Sequence, residues 1–191
     1  MAKQLGFCIE QNMCMGCKAC QVACKDKNNL DIGQLFRKVT ETEGGSYSES
    51  GNGITHNVYS YWTSLSCNHC ENPVCVEVCP TGAMYKRKDD GIVLVNKEVC
   101  IGCGTCKISC PYDAPVLNDK EQKMGKCDFC VDQIIQGKDP YCAGACPVRA
   151  IHYGDISDLR NKYGTLDKIE GMPEPKTKPS LVIVPHKDVV K

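Results

Sequence analysis

Cys14, Cys17, Cys20 and Cys24 follow one another as C-x2-C-x2-C-x3-C, and the sequence sets down three more groups of four cysteines after them. The second is Cys67, Cys70, Cys75 and Cys79 in CNHCENPVCVEVCP, and the third is Cys100, Cys103, Cys106 and Cys110 in CIGCGTCKISCP. The fourth is Cys127, Cys130, Cys142 and Cys146 in CDFCVDQIIQGKDPYCAGACP, which leaves Cys8 over. With 17 cysteines and only 6% aromatic residues, side-chain packing alone is not what organises this fold.

A disulfide scaffold is the simplest account of so much cysteine, and the pattern opposes it. The count is odd, MAKQLGF has neither the basic nor the apolar region of a signal peptide, and six C-x2-C pairs crowd the thiols too closely to staple a framework. Metal thiolates are favoured. Zinc accepts four thiolates, but its sites take two separated C-x2-C knuckles rather than three cysteines in seven residues followed by Cys-Pro. The run C-x2-C-x2-C-x3-C-P is instead the bacterial ferredoxin signature for a cubane 4Fe-4S cluster. In that arrangement a tight loop turns three thiolates around one cube, with Gly16 and Gly102 where a side chain has little room. The fourth cysteine, carried by a short helix, reaches a different cluster, and proline ends the helix. Radical chemistry with S-adenosylmethionine needs an iron without a protein ligand, and here every cluster can have four cysteines.

Three groups end in C-P-x-x-A (CPTGA, CPYDA, CPVRA), which marks an internal repeat. Because fourth cysteines cross over, groups exchange ligands in pairs. Groups two and three are separated by one hairpin, AMYKRKDDGIVLVNKE, and pair as an ordinary two-cluster unit; groups one and four pair by exclusion. The predicted ligand sets are Cys14, Cys17, Cys20 with Cys146; Cys67, Cys70, Cys75 with Cys110; Cys100, Cys103, Cys106 with Cys79; and Cys127, Cys130, Cys142 with Cys24. Four 4Fe-4S clusters form a line of redox centres. Ile9 and Val95 both lie five residues ahead of the leading cysteine of groups one and three, which sets Cys8 opposite Leu94 in the strand-like GIVLV, so Cys8 is predicted to pack as a small hydrophobe in a strand.

The predicted fold is α+β, with two ferredoxin-like 2x(4Fe-4S) units nested in sequence. Residues 1–30 with 115–154 form the outer unit and 67–114 the inner one. Residues 31–66 form a β-rich insertion, two strands around a Gly/Ser-rich loop, which covers the inner unit or presents a docking surface. In 155–191, DISDLRNKYG reads as a helix capped by Asp155 and stopped near Gly164. GMPEPKTKPS is a linker, and LVIVP is a strap laid over the protein or a partner. His69 is expected to donate a hydrogen bond near the clusters. Lys86, Arg87 and Lys88 are expected on a solvated face or neutralising cluster charge. The longest aliphatic stretch, Leu181 to Val184, is far too short to span a membrane. Basic and acidic residues balance at 23 each, so there is no field to draw nucleic acid.

The order of the groups, the CNHC and KCDFC openings and the KPSLVIVP ending resemble the electron-transfer subunits of the dimethyl sulfoxide reductase type, within the four-cluster subunits of molybdopterin oxidoreductases. The resemblance covers nearly the whole chain. It implies a noncatalytic subunit working with a large molybdenum or tungsten bis-pterin catalytic subunit, often with a membrane subunit that exchanges electrons with quinone. Cys103 stands where nitrate reductase relatives have tryptophan, which implies four 4Fe-4S clusters and no 3Fe-4S centre. Membrane association is then through partners, on the periplasmic face by co-export with the catalytic subunit or on the cytoplasmic face. A diffusible polyferredoxin carrier is the rival reading. Beta subunits of formate dehydrogenase, thiosulfate or polysulfide reductase and transhydroxylase complexes are alternatives within the class.

Overall fold

The computed structural model describes residues 3–51 and 53–189. Its largest sheet gathers three distant segments. β1 (Leu5–Glu10) is the central strand, β10 (Ile151–Asp155) pairs antiparallel on one side, and β11 (Leu181–Val184) pairs parallel on the other, with Phe7 opposite Leu181 and Glu10 opposite Val184. The strap therefore lies on the protein itself. LVIV is apolar at every position because a strand covered on both faces has no solvent side. One face of the sheet meets α6 (Ile156–Tyr163) through Cys8, Val182, Ile156 and Leu159; the other meets Phe7, Ile9, Leu181, Ile183 and Phe129 in the main core. Cys8, fully buried in β1, is a packing residue, in agreement with the sequence. The helix begins as its sequence predicts, with an Asp155 carboxylate oxygen accepting from the N–H of Ser157 at 2.9 Å, and ends at Gly164.

The internal repeat is visible in the strands. After group two, CPTGA runs into β6 (Met84–Lys86), which pairs antiparallel with β7 (Val93–Val95), the strand leading to group three. After group four, CPVRA runs into β10, which pairs antiparallel with β1, the strand leading to group one. A further hairpin, β8 (Val116–Asn118) with β9 (Lys123–Gly125), folds back over the third group, where Lys123 Nζ donates to the Cys100 carbonyl and Met124 N–H points at Cys100 Sγ.

The insertion departs from its expectation in two ways. The expected pair, β2 (Arg37–Gly44) and β5 (Tyr59–Ser66), forms an eight-rung antiparallel ladder. The segment between them, expected as a loop, is itself a hairpin of β3 (Tyr47–Ser50) and β4 (Gly53–His56). Its cross-strand Ser48 and Thr55 hydroxyls meet at 2.9 Å, and Gly51 supplies the positive φ of the turn. The base of the ribbon also does more than cover the inner unit, which Lys38, Thr40 and Leu65 meet at Tyr112, Asp113 and Ala114. Val39, Trp62 and Ser64 lie against the first cysteine group, because the alternation of β2 and β5 aims those side chains at the outer unit.

Candidate functional site: four cysteine-lined centres

All 17 cysteines are free thiols. Cys14, Cys17, Cys20 and Cys146 line one cavity; Cys67, Cys70, Cys75 and Cys110 line a second; Cys79, Cys100, Cys103 and Cys106 line a third. The remaining four also stand together, Cys24 within electrostatic reach of Cys142 and Cys130, and Cys127 within reach of Cys24 and Cys142. The structure thus brings together the same sets of four that the spacing pairs.

Each loop is built by one backbone device. The residue before the second cysteine has positive φ in every group: Gly16 at +70°, His69 at +42°, Gly102 at +69° and Phe129 at +60°. This left-handed residue reverses the chain so that the flanking thiols point inward. Glycine is required at two of these positions for a second reason. A Cβ on Gly16 would lie 2.6 Å from the Trp62 indole, and one on Gly102 would strike the Gln122 carbonyl. In the other two groups the places are taken by His69 and Phe129, both fully buried and packed edge to face at 5.2 Å, so the two strained loops meet where the inner and outer units join. Phe129 also stacks on Phe7 at 4.2 Å, which anchors that junction to the central sheet.

The C-P-x-x-A repeat has an equally local cause. In each case the N–H three residues on donates to the cysteine carbonyl at 3.2 Å, from Gly82, Asp113 and Arg149, and each of those residues has positive φ. The turn then swings the next N–H groups onto sulfur: Met84 N–H reaches Cys79 Sγ at 3.4 Å, and Ala150 N–H reaches Cys146 Sγ at 3.3 Å. Third cysteines ride on one-turn helices, Cys75 on α2 (Val74–Glu77), Cys106 on α3 (Thr105–Ile108) and Cys142 on α5 (Tyr141–Gly144), each ending just before its Cys-Pro. Group four has an extra one-turn helix, α4 (Val131–Ile134), inside its gap. Only α1 (Ala19–Lys27), without that proline, runs on past its fourth cysteine. Lys25 then holds the turn beyond it by donating to the Leu30 and Asp31 carbonyls, and Lys27 reaches the fourth group, pairing with Asp128 at 2.6 Å and Asp132 at 3.0 Å. Burial opposes the Lys27 charge, but the two carboxylates hold its ammonium above the ordinary lysine range.

Side-chain donors also reach the thiols. The Ser64 hydroxyl lies 3.3 Å from Cys20 Sγ, Thr177 Oγ1 lies 3.2 Å from Cys70 Sγ, and Thr105 Oγ1 lies 3.4 Å from Cys103 Sγ. Burial pushes the thiols of Cys24 and Cys75 up to about 12, and those of Cys70, Cys106 and Cys130 to about 11. The Thr105 hydroxyl holds exposed Cys103 below the ordinary thiol range. Two cations are buried among these sets, Arg37 of the insertion beside the outer unit's cysteines and Lys126 between the units, where Lys126 Nζ donates to the Val93 carbonyl and to the Cys127 carbonyl at 2.9 Å.

His69 keeps its donor free, with the ring proton on Nε2. Its Nδ1 accepts from Val93 N–H at 3.1 Å, and burial together with nearby Lys126, Arg37 and Lys86 keeps the ring neutral. Nε2 has no partner among the described residues. The basic run divides: Lys86 Nζ donates to the Cys70 and Glu71 carbonyls, Arg87 pairs with Asp90, and Lys88 is exposed. The role of Arg37 is one that sequence reasoning missed. Within FRKVTETEGG nothing distinguishes it from a solvated basic residue.

The donor set fits a polynuclear cluster. Among the described residues no three His, Cys, Asp or Glu side chains converge closely enough to hold a single metal ion, as four thiolates at zinc–sulfur distance would. Four thiols around a common space, with N–H and O–H groups aimed at sulfur, suit a larger anionic body. Fold and donor set together define a ferredoxin-like iron–sulfur protein that transfers electrons. Family models described as "4Fe-4S dicluster domain" match residues 58–156 and 13–83. The sequence is 47% identical over 188 residues to the iron–sulfur subunit of the anaerobic dimethyl sulfoxide reductase of Escherichia coli, covering 97% of this chain and 91% of the relative. It is 36% identical to the iron–sulfur subunit of the polysulfide reductase of Wolinella succinogenes, over 98% of this chain and 97% of that one. Against the corresponding sulfite dehydrogenase subunit of Allochromatium vinosum the identity is 35%, over 96% and 84%. This protein therefore belongs to the 4Fe-4S dicluster family of iron–sulfur subunits that includes the one in dimethyl sulfoxide reductase, and its cofactors are four 4Fe-4S clusters.

Proposed function

We propose that this chain is the electron relay of an oxidoreductase complex, carrying electrons between a large molybdopterin catalytic subunit and a quinone-linked membrane subunit. When bound, each cluster supplies a one-electron redox centre. Its ligands are the four sets: Cys14, Cys17, Cys20, Cys146; Cys24, Cys127, Cys130, Cys142; Cys67, Cys70, Cys75, Cys110; and Cys79, Cys100, Cys103, Cys106. The observation that carries the reading is their serial order. Cys20 lies within electrostatic reach of Cys142, Cys127 lies within reach of Cys67, and α2 packs on α3, which supports a line in the order just given.

The protein keeps water from the middle of this line and opens it at the ends. Cys24, Cys127, Cys142, Cys67 and Cys75 are buried, whereas Cys17 and Cys103 are exposed, one in each terminal set. Apolar residues rim both ends: Met13 and Met15 beside the first group, and Ile101 and Ile108, the latter 87% exposed, beside the third. Such rims suit two protein partners better than free diffusion. No helix among the described residues is long and apolar enough to cross a membrane, so in this reading the protein meets the membrane through a partner, on the periplasmic or the cytoplasmic face.

Anaerobic purification through a tag on this chain tests the proposal. A molybdenum- or tungsten-containing subunit should co-purify in stoichiometric amount, and its substrate should reoxidise the reduced relay. Recovery of the relay alone, monomeric and fully loaded with clusters, would favour the diffusible carrier.

A further inference from the structure

Arg37 is 1% exposed, and among the described residues its hydrogen bonds run to no carboxylate. Nη1 donates to the Ser64 carbonyl at 3.1 Å and to Ser64 Oγ at 3.2 Å, Nη2 donates to Ser66 Oγ at 3.0 Å, and the guanidinium lies 4.9 Å over the Phe7 ring. A buried unpaired guanidinium is costly unless a negative body stands nearby. Here the candidates are the sulfurs of Cys20, Cys24, Cys127 and Cys142, all within its electrostatic reach. The contact with Ser64 also settles a direction. Because Arg37 occupies a lone pair of Ser64 Oγ as donor, the serine proton is free, and Cys20 Sγ lies 3.3 Å away. A ligating thiolate can only accept. The relay from Arg37 through Ser64 to Cys20 therefore delivers a charge-assisted O–H donor to one sulfur of the first set.

We propose that Ser64, oriented by Arg37, is a positioning residue that sets the reduction potential of the cluster held by Cys14, Cys17, Cys20 and Cys146. One added electron makes that site more negative, and a donor to a ligand sulfur stabilises the more negative state, so the hydroxyl raises the potential. Ser64 comes from β5, not from a cysteine loop, which gives the insertion a function besides cover. The inference rests on the cluster assignment above.

The test is a redox titration of the full-length protein with all clusters bound, followed by electron paramagnetic resonance, for wild type, Ser64→Ala and Ser64→Thr. In Ser64→Ala one midpoint should fall by about 59 mV, a tenfold change in the oxidised-to-reduced ratio at fixed potential, with iron content unchanged. Ser64→Thr, which keeps the hydroxyl, should restore it. The signal that moves should be the one altered by Cys17→Ser. Four unmoved midpoints in Ser64→Ala, loss of a cluster in that variant, or movement of a signal that Cys17→Ser leaves alone would each overturn the proposal. If Cys17→Ser alters no signal, the cluster assignment fails instead, and this inference falls with it.

Discussion

Gly16→Ala separates two physical requirements on the first loop. At φ +70° an alanine costs about 1–2 kcal/mol because its Cβ crowds the carbonyl. Its Cβ would also sit 2.6 Å from the Trp62 indole, an overpacking that costs about 1–3 kcal/mol more. The sum, about 2–5 kcal/mol, falls on the loop that encloses the first set of thiols. Since cluster loss is irreversible, the readout is a rate, the bleaching of visible iron–sulfur absorbance in a fixed guanidinium concentration. About 2 kcal/mol felt in the native loop but released on opening makes bleaching roughly thirtyfold faster. A double-mutant cycle with Trp62→Ala apportions the cost: the pair should be less damaged than the sum of the singles by about 1–3 kcal/mol, with the backbone part remaining. Additive effects, or bleaching at the wild-type rate in Gly16→Ala, would refute the packing of Trp62 on Gly16. Gly102→Ala should resist any such rescue, because its obstacle is the backbone carbonyl of Gln122.

Cys24→Ser should damage the cluster of Cys127, Cys130 and Cys142 and spare that of Cys14, Cys17 and Cys20, as read by resolved spectra of the four centres. Cys8, with its thiol raised from 9.0 to about 12 by burial and by Glu10, should resist alkylation in the native protein. Unfolding lets it ionise, so its contribution to stability is complete below about 9 and declines as pH rises towards 12, which pH-dependent denaturation would measure. Asp155→Ala removes the cap of α6, and the loss of about 1 kcal/mol should make cluster bleaching in denaturant roughly fivefold faster. The Asp155 carboxyl is pulled below its ordinary range by the Ser157 and Gln4 donors despite burial, so the wild-type advantage should fade as pH falls through the carboxylate range. Removing the clusters with a chelator should leave the protein largely disordered; a cooperative melt of metal-free protein would contradict that.

Short-range chemistry makes much of this fold readable. C-P-x-x-A marks a turn that depends on three neighbouring residues, Asp155 and Gly164 bound a helix by local capping, and the twenty residues between groups two and three leave room for one hairpin. The missing proline after Cys24 announces a helix that continues, and α1 does so to Lys27. What the sequence hides depends on distant partners. LVIV carries no sign of its mate, because β1 lies more than 170 residues away and parallel pairing leaves no turn signal. His69 and Phe129 hide their left-handed backbone, since only glycine advertises it, and their strain is supported by packing against each other across two units. Arg37 reads as a surface residue until β5 folds over it. The ribbon tip reads as a loop because Gly and Ser dominate its composition, while its pairing rests on alternation over only four residues per strand.

The most direct test of the account is the iron and acid-labile sulfide content of the anaerobically purified protein. Four cubanes predict about sixteen of each per polypeptide, with no stoichiometric zinc. About eight of each, or four zinc ions without sulfide, would contradict the four-centre relay.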